Sequence, residues 1–187
     1  MVVTLRPVEL HWIDGAEDDP SDLCAHGDVE FRIDGDTLSD GFSGQGLTVS
    51  AAALYLLRTL SVPHTKDSPV GELLFPCCGF AMYDLPDEKD VVICGCPNGE
   101  DFEVAHRQDG SGVVVRSVEG KEWSVDWVVW RAAVFAFADR VAEFYISCSV
   151  KQPSEEDEPG FQKFLAEWER RRGQPLYRGE NQRLATT

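Results

Sequence analysis

One apolar stripe constrains this chain more than any other feature. Trp127, Trp130, Val134, Phe137, Val141, Phe144 and Cys148 follow one another at spacings of three and four. That spacing puts them on one face of a long helix. Arg131, Asp139, Arg140 and Glu143 fall mostly off the stripe. A helix of this kind must bury its face against another layer, and the strands that precede it are the nearest candidates. Substituting Val134 with Asp is therefore expected to unfold the chain.

Those strands are visible as alternation. Val29, Phe31 and Ile33 alternate with Glu30, Arg32 and Asp34, and Asp34-Gly35 closes the segment. Pro7 to Ile13 alternates with Val8, Leu10 and Trp12 on one side, so the two segments are expected to pair antiparallel. Val91 to Cys94 reads as a short buried strand. Phe102, Val104 and His106 alternate, Asp109-Gly110-Ser111-Gly112 turns, and Val113 to Val118 returns along it. Ala51 to Leu60 predicts a second helix, capped by Thr48 or Ser50, with Leu54, Leu56, Leu57 and Leu60 as its apolar face. Ser124 or Asp126 would cap the long helix.

At the far end Phe161, Phe164, Leu165 and Trp168 predict a docked last helix. Pro159 suits its first turn, Arg170-Arg171-Arg172 its C-terminal dipole, and Gly173 its stop. The expected class is thus α+β: one antiparallel sheet with helices packed mainly on one face, plus a C-terminal helix. The chain divides into an acidic α+β domain at 1–152, a linker and docked helix at 153–173, and a loose tail at 174–187. A length of 187 residues suits one such core without disulfides or metals.

Charge then narrows the function. Acidic residues outnumber Lys and Arg by 33 to 17, a net charge of −16. Such a surface repels nucleic-acid backbones and anionic membranes, so neither is an expected partner; a basic protein would be attracted. The stretch from Asp14 to Asp40 holds ten acids and one base, Arg32. Within it Asp14, Glu17, Asp18, Asp19 and Asp22 form the candidate partner-binding patch, with Trp12 or Trp123 as an aromatic anchor. The acids lack EF-hand spacing, so a solvated loop is the default reading and a docking surface for a basic protein the sharper alternative. Glu100, Asp101 and Glu103 cluster near a turn, but no neighbouring base or nucleophile selects them for acid–base work.

No secretory signal is apparent at the start and no run of about 18 apolar residues occurs, so the expected location is cytoplasmic, with reduced thiols. The six cysteines are Cys24, Cys77, Cys78, Cys94, Cys96 and Cys148. Cys77-Cys78 and Cys94-x-Cys96 lack zinc-finger spacing, and adjacent strand residues point to opposite faces, so neither a metal nor another cofactor is expected. With no Cys-x-x-Cys, a redox pair is less expected still, and the thiols read as buried small hydrophobes. The competing hypothesis is a small metal protein or enzyme built on Cys24, His26, Cys77, Cys78, Cys94, Cys96 or His106. Gly41-Phe42-Ser43-Gly44-Gln45-Gly46 is neither a nucleophile elbow nor a phosphate loop and reads as a turn.

Cys94-Gly95-Cys96-Pro97-Asn98-Gly99-Glu100-Asp101-Phe102-Glu103-Val104-Ala105-His106 and Phe137-Ala138-Asp139-Arg140-Val141-Ala142-Glu143-Phe144-Tyr145 resemble segments of small, acidic, uncharacterised bacterial proteins. Some of those are similar to immunity proteins of polymorphic or contact-dependent toxin systems. The resemblance implies a non-enzymatic, acidic cytosolic α+β protein that binds a cognate toxin and blocks its active site. It carries over no individual binding residue.

Overall fold

The first strand shows how local geometry overrides simple alternation. In the computed structural model, which describes residues 1–13, 18–40, 46–79 and 81–176, strand β1 spans Val3–His11 and pairs antiparallel with β2, His26–Ile33. Leu5 and Pro7 point inward opposite Phe31 and Val29. The register then shifts between Val8 and His11, where Glu9 takes a positive φ of 53°. A bulge of this kind reverses which side faces the core. Beyond it Trp12 is buried, whereas Val8 and Leu10 are only half-buried. The expected pairing of these strands is present, but their inward residues change parity at Glu9. Pro7 is tolerated because β1 is a sheet edge.

Val29, Phe31 and Ile33 of β2 are fully buried, as their alternation requires. Asp34 and Gly35, both with positive φ, turn the chain into β3, Asp36–Asp40. This is the two-residue hairpin geometry that Asp-Gly favours. The resulting sheet has the order β1-β2-β3.

Helix α1, Val49–Thr59, follows. Every one of its residues is buried, so it is a core helix with no solvent face. Thr48 occupies the N-cap position but its hydroxyl donates to the Cys77 carbonyl at 3.2 Å instead of capping. Short strands come next: β4 (Phe75–Pro76), β5 (Ala81–Tyr83), β6 (Val92–Cys94) and β7 (Gly99–Glu100). They form two ribbons, β4 with β7 and β5 with β6. A second three-stranded sheet has the order β10-β9-β8, from Glu122–Asp126, Gly112–Arg116 and Glu103–His106.

The antiparallel α+β class is therefore realised with its strands divided among two three-stranded sheets and two ribbons, where one continuous sheet was expected. Strand β10 runs directly into α2, Trp127–Ser147. On α2, Trp130, Val134, Phe137 and Val141 are fully buried, as the stripe predicts; Ala138, Ala142 and Tyr145 join them, and Trp127 and Phe144 lie at the margin. Asp126 is the N-cap residue without a side-chain cap bond. Helix α2 packs across β1 and against α1, β9 and β10.

The last helix, α3, spans Glu158–Arg172 and ends at Gly173, whose φ of 80° is left-handed. It docks through Phe161, Phe164 and Trp168 against α1 and β5. Gly160 permits that approach: a Cβ there would lie 1.9 Å from the Met82 carbonyl oxygen. Leu165 is only half-buried, and Glu167 takes a buried place in the docked face. The three arginines do more than complement a dipole. Arg170 and Arg171 both pair with Asp90, and Arg172 pairs with Asp139 on α2.

Arg58 of α1 and Glu167 of α3 form the central polar joint. The guanidinium Nε and Nη2 donate to the two carboxylate oxygens, each at 2.8 Å. Nη1 donates to the Val70 carbonyl at 2.6 Å and Nη2 to the Val91 carbonyl at 2.7 Å. Glu167 also accepts the Val91 amide and Nε of Arg171. The pair is thus buried with its hydrogen bonds satisfied, the condition under which a buried ion pair persists.

Candidate functional site

The acidic loop is occupied with its own chain. Asp18 accepts the Ser149 amide and pairs with Lys151 at 3.1 Å. Lys151 is itself buried and stacks over the Trp12 ring. Asp19 accepts both the amide and the hydroxyl of Ser21, at 2.8 and 2.9 Å. Asp22 accepts the Ile13 and Cys24 amides. The backbone bond from Ser149 holds the Asp18 carboxyl below the usual range, and that from Ser21 does the same for Asp19. Asp18 staples the loop to the segment after α2, while Asp19 and Asp22 bond within the loop and to its flanks. Asp14 and Glu17 lie outside the described residues. Trp12 is buried, with its indole N–H on Cys148, and offers no exposed anchor.

Trp123 has a different setting. It stands on β10 and donates its indole N–H to Asp36 on β3 at 2.8 Å, while Lys121 pairs with the same carboxylate at 2.7 Å. These bonds tie the two three-stranded sheets together at one corner. Beside them opens a cleft of about 560 Å³, walled by β3, the 99–102 segment, the 117–119 turn and β10. Among the described residues Asp36, Glu100, Asp101 and Glu119 line it against a single cation, Lys121. Its apolar lining includes Leu38, Phe102, Trp123 and Val118, the last 78% exposed. A neighbouring hollow of about 470 Å³ shares Asp101, Phe102, Ser117 and Val118 with it, and adds Lys66 and Arg116.

The acids at the 100–103 turn have three different fates. Asp101 accepts from the Leu74 amide and from His64 Nε2, both at 2.9 Å. Nδ1 of buried His64 accepts the Val70 amide, which places the ring proton on Nε2. No nucleophile stands on this pair, and it reads as structural. Glu103 is held by Arg116 and the Lys66 amide. Of these three acids Glu100 alone keeps a buried carboxylate oxygen, Oε2, with no hydrogen-bond partner among the described residues. Burial pushes its carboxyl above the ordinary range, the nearby Ser39 hydroxyl offsets this in part, and Asp40 and Asp28 push it further up. Glu100 therefore lines the cleft as a carboxyl that burial and neighbouring acids hold above its ordinary range.

The remaining candidates separate. Cys24 is buried, donates to the Gly79 carbonyl at 3.6 Å, and is pushed up to about 12 by burial, so its thiol is unreactive. His26 stacks on His11, and its ring is lowered by burial. His106 bonds the Thr59 carbonyl through Nε2 and meets Trp127 edge-on. Among the described residues no group of three His, Cys, Asp or Glu is placed to hold a metal ion. The expectation of buried thiols holds for Cys24 only: Cys94 is exposed, and Cys77, Cys78, Cys96 and Cys148 are half-buried. Residues 41–45 lie outside the described residues.

Along the sequence Glu100 reads as part of an exposed turn and Trp123 as one of two candidate anchors, and nothing there joins them to Asp36, 64 and 87 positions away. The Asp34-Gly35 hairpin was the available signal, since it implies a strand at 36–40. No protein family matches this chain, and no match is found among curated proteins or solved structures. No helix among the described residues is long and apolar enough to cross a membrane.

Proposed function

We propose that this chain is a non-enzymatic binding module that receives a cationic segment of a basic protein in the Glu100–Trp123 cleft. An immunity-type inhibitor of a basic toxin or enzyme is the form that best fits its acidity. The observation that carries the reading is Glu100: half-buried, with a carboxylate oxygen lacking a partner, among three other cleft acids. A lysine or arginine side chain entering the cleft would meet the carboxylates of Asp36, Glu100, Asp101 and Glu119 and lie beside Lys121 at the Trp123 ring. The net charge of −16 would accelerate the encounter. Val118 and Leu38 would exclude water around the contact, as the rim of an interface hot spot does. On this reading the acidic loop at Asp18, Asp19 and Asp22 contributes to the long-range field, and the cleft makes the contact.

The test is salt-dependent capture from bacterial lysate, run in parallel with Val118→Arg and Glu100→Gln variants. The exposure of Val118 makes the arginine harmless to folding, while it puts a competing cation at the cleft mouth. Retention of one basic protein by the parent chain, weakened roughly tenfold or more by each variant, is expected. Retention that ignores both variants would remove the cleft from the reading. The absence of any salt-sensitive basic partner would remove the reading itself.

A further inference from the structure

The connections β4–β5 and β6–β7 are held in unusually close contact. A Cβ on Gly95 would lie 1.8 Å from the Cys78 carbonyl oxygen, so no larger residue fits there with the loops in place. Gly99, with φ of 146°, makes a similarly tight approach: a Cβ there would lie 2.3 Å from the Phe75 carbonyl oxygen. The Cys77 amide donates to the Asn98 carbonyl at 2.9 Å. The Cys96 amide donates to Sγ of Cys78 at 2.8 Å. In this frame Sγ of Cys78 lies directly against the backbone of Cys96, and Cys77 is bonded to the same loop through its amide. Adjacent cysteines were expected to diverge. Residues 77 and 78 lie outside the strands, in the connection after β4, where strand alternation no longer applies.

We propose that Cys96 and Cys78 are a reversible redox pair, with Cys96 as the thiol that meets a hydroperoxide and Cys78 as the thiol that resolves it. Two half-buried cysteines from two loops, Cys78 and Cys96, come together here, and the glycine contacts hold the loops together without a covalent link. The tertiary structure thereby supplies what the missing Cys-x-x-Cys would have supplied locally.

The environment divides the roles. The Cys78 thiol, then backbone and Cys77 bonds, hold the Cys96 thiol below its ordinary range. Burial first, and the shared proton second, push Cys78 and Cys77 up. The thiolate is the nucleophile in such chemistry, so Cys96 reacts first. Its sulfur attacks the peroxide oxygen, the O–O bond breaks, and the leaving oxygen departs as water or an alcohol after taking a proton. Cys96 is then a sulfenic acid. The Cys78 sulfur attacks that sulfur, the S–S bond forms, the S–O bond breaks, and hydroxide leaves as water with the Cys78 proton. Two thiols lose two electrons and the peroxide gains them. A dithiol reductant reverses the step by exchange. The bond would clamp the β4–β7 ribbon that carries Glu100.

The experiment uses the full chain, freshly reduced, exposed to hydrogen peroxide in small excess, with intact mass and peptide mapping after alkylation. The expected product has lost two hydrogens, contains a Cys78–Cys96 crosslinked peptide, and returns to the starting mass with dithiothreitol. Cys96→Ser should keep its reduced mass. Cys78→Ser should accumulate a Cys96 sulfenic acid that dimedone traps. A bond mapping to other thiols, or a Cys96→Ser variant oxidised at the parent rate, would overturn the assignment. A second readout needs no variant: with substoichiometric iodoacetamide, Cys96 should react roughly tenfold faster than the more exposed Cys94. Equal rates would overturn the proposal.

Discussion

Glu167 and Glu100 are both glutamates withdrawn from water, and the chain treats them in opposite ways. Glu167 is fully buried, yet both oxygens are matched, by Arg58, Arg171 and the Val91 amide. Glu100 is only half-buried, yet one oxygen has no donor among the described residues. The deeper group belongs to the scaffold, because a buried charge is tolerated when its partners arrive with the fold. The shallower group is the exception that the scaffold does not explain. Asp40 and Asp28 add repulsion, the Ser39 hydroxyl offsets it only in part, and among the described residues no donor reaches Oε2. Burial by itself therefore does not set the two glutamates apart; the match between each carboxylate and its donors does.

The most severe test of this contrast introduces a carboxylate that is both deep and unmatched. Val134→Asp places one on the fully buried face of α2. A loss of more than about 4 kcal/mol is expected, enough to abolish cooperative folding at room temperature. A cooperative thermal melt like that of the parent would refute the assignment of the α2 face.

Next in size is Glu167→Ala, which leaves Arg58 buried without its counter-ion. Urea unfolding should show a loss of about 3–5 kcal/mol. The double variant Arg58→Met, Glu167→Leu should recover most of it, because well-packed apolar groups can replace a buried pair. If the double variant is no better than Glu167→Ala, the joint acts through its bonds to Val70 and Val91 more than through charge.

The smallest effect has the opposite sign. Because burial raises the Glu100 carboxyl, the folded chain holds that proton more tightly than the unfolded chain does. Between the ordinary glutamate value and the raised one, the folded state binds more protons, so stability falls as pH rises through that window. Glu100→Gln removes the fall. It should stabilise the chain at neutral pH, by less than about 1 kcal/mol given solvent screening. The gain should vanish below the ordinary glutamate range. Paired urea titrations at about pH 3.5 and 7 read this directly. A variant less stable than the parent at neutral pH would mean that the charge is compensated after all. Stabilisation together with lost partner binding would be the signature of a residue kept for function.

Much of the architecture could be read along the chain. The α2 stripe, the α3 anchors with Pro159 and Gly173, β2, and the β8–β9 hairpin all depend on periodicity and turn chemistry within a few residues. Where a long-range contact intervened, the reading shifted. Pairing with β2 gives β1 its bulge at Glu9, which moves the inward positions from Val8 and Leu10 to Leu5 and Pro7. Strand β3 was hidden in a polar stretch whose strand character comes from its pairing with β2. Trp12 and Trp123 looked equivalent as anchors; only the packing of α2 and Lys151 over one, and the corner between β3 and β10 beside the other, separates them.

The secondary elements with strong periods, the α+β class and the surplus of negative charge were already settled in the order and sum of the amino acids, because each is a property of near neighbours or of a total. Which charges are free was decided in three dimensions. Asp18, Asp19 and Asp22 found donors within or beside their loop, Glu167 found Arg58 across 109 positions, and Glu100 retained an unmatched oxygen. The same holds for the thiols, since Cys78 and Cys96 lie 18 positions apart and meet only because Gly95 lets two loops touch. Hydrogen-bond satisfaction and thiol contact depend on distances of a few ångströms between distant residues, which composition and period do not encode.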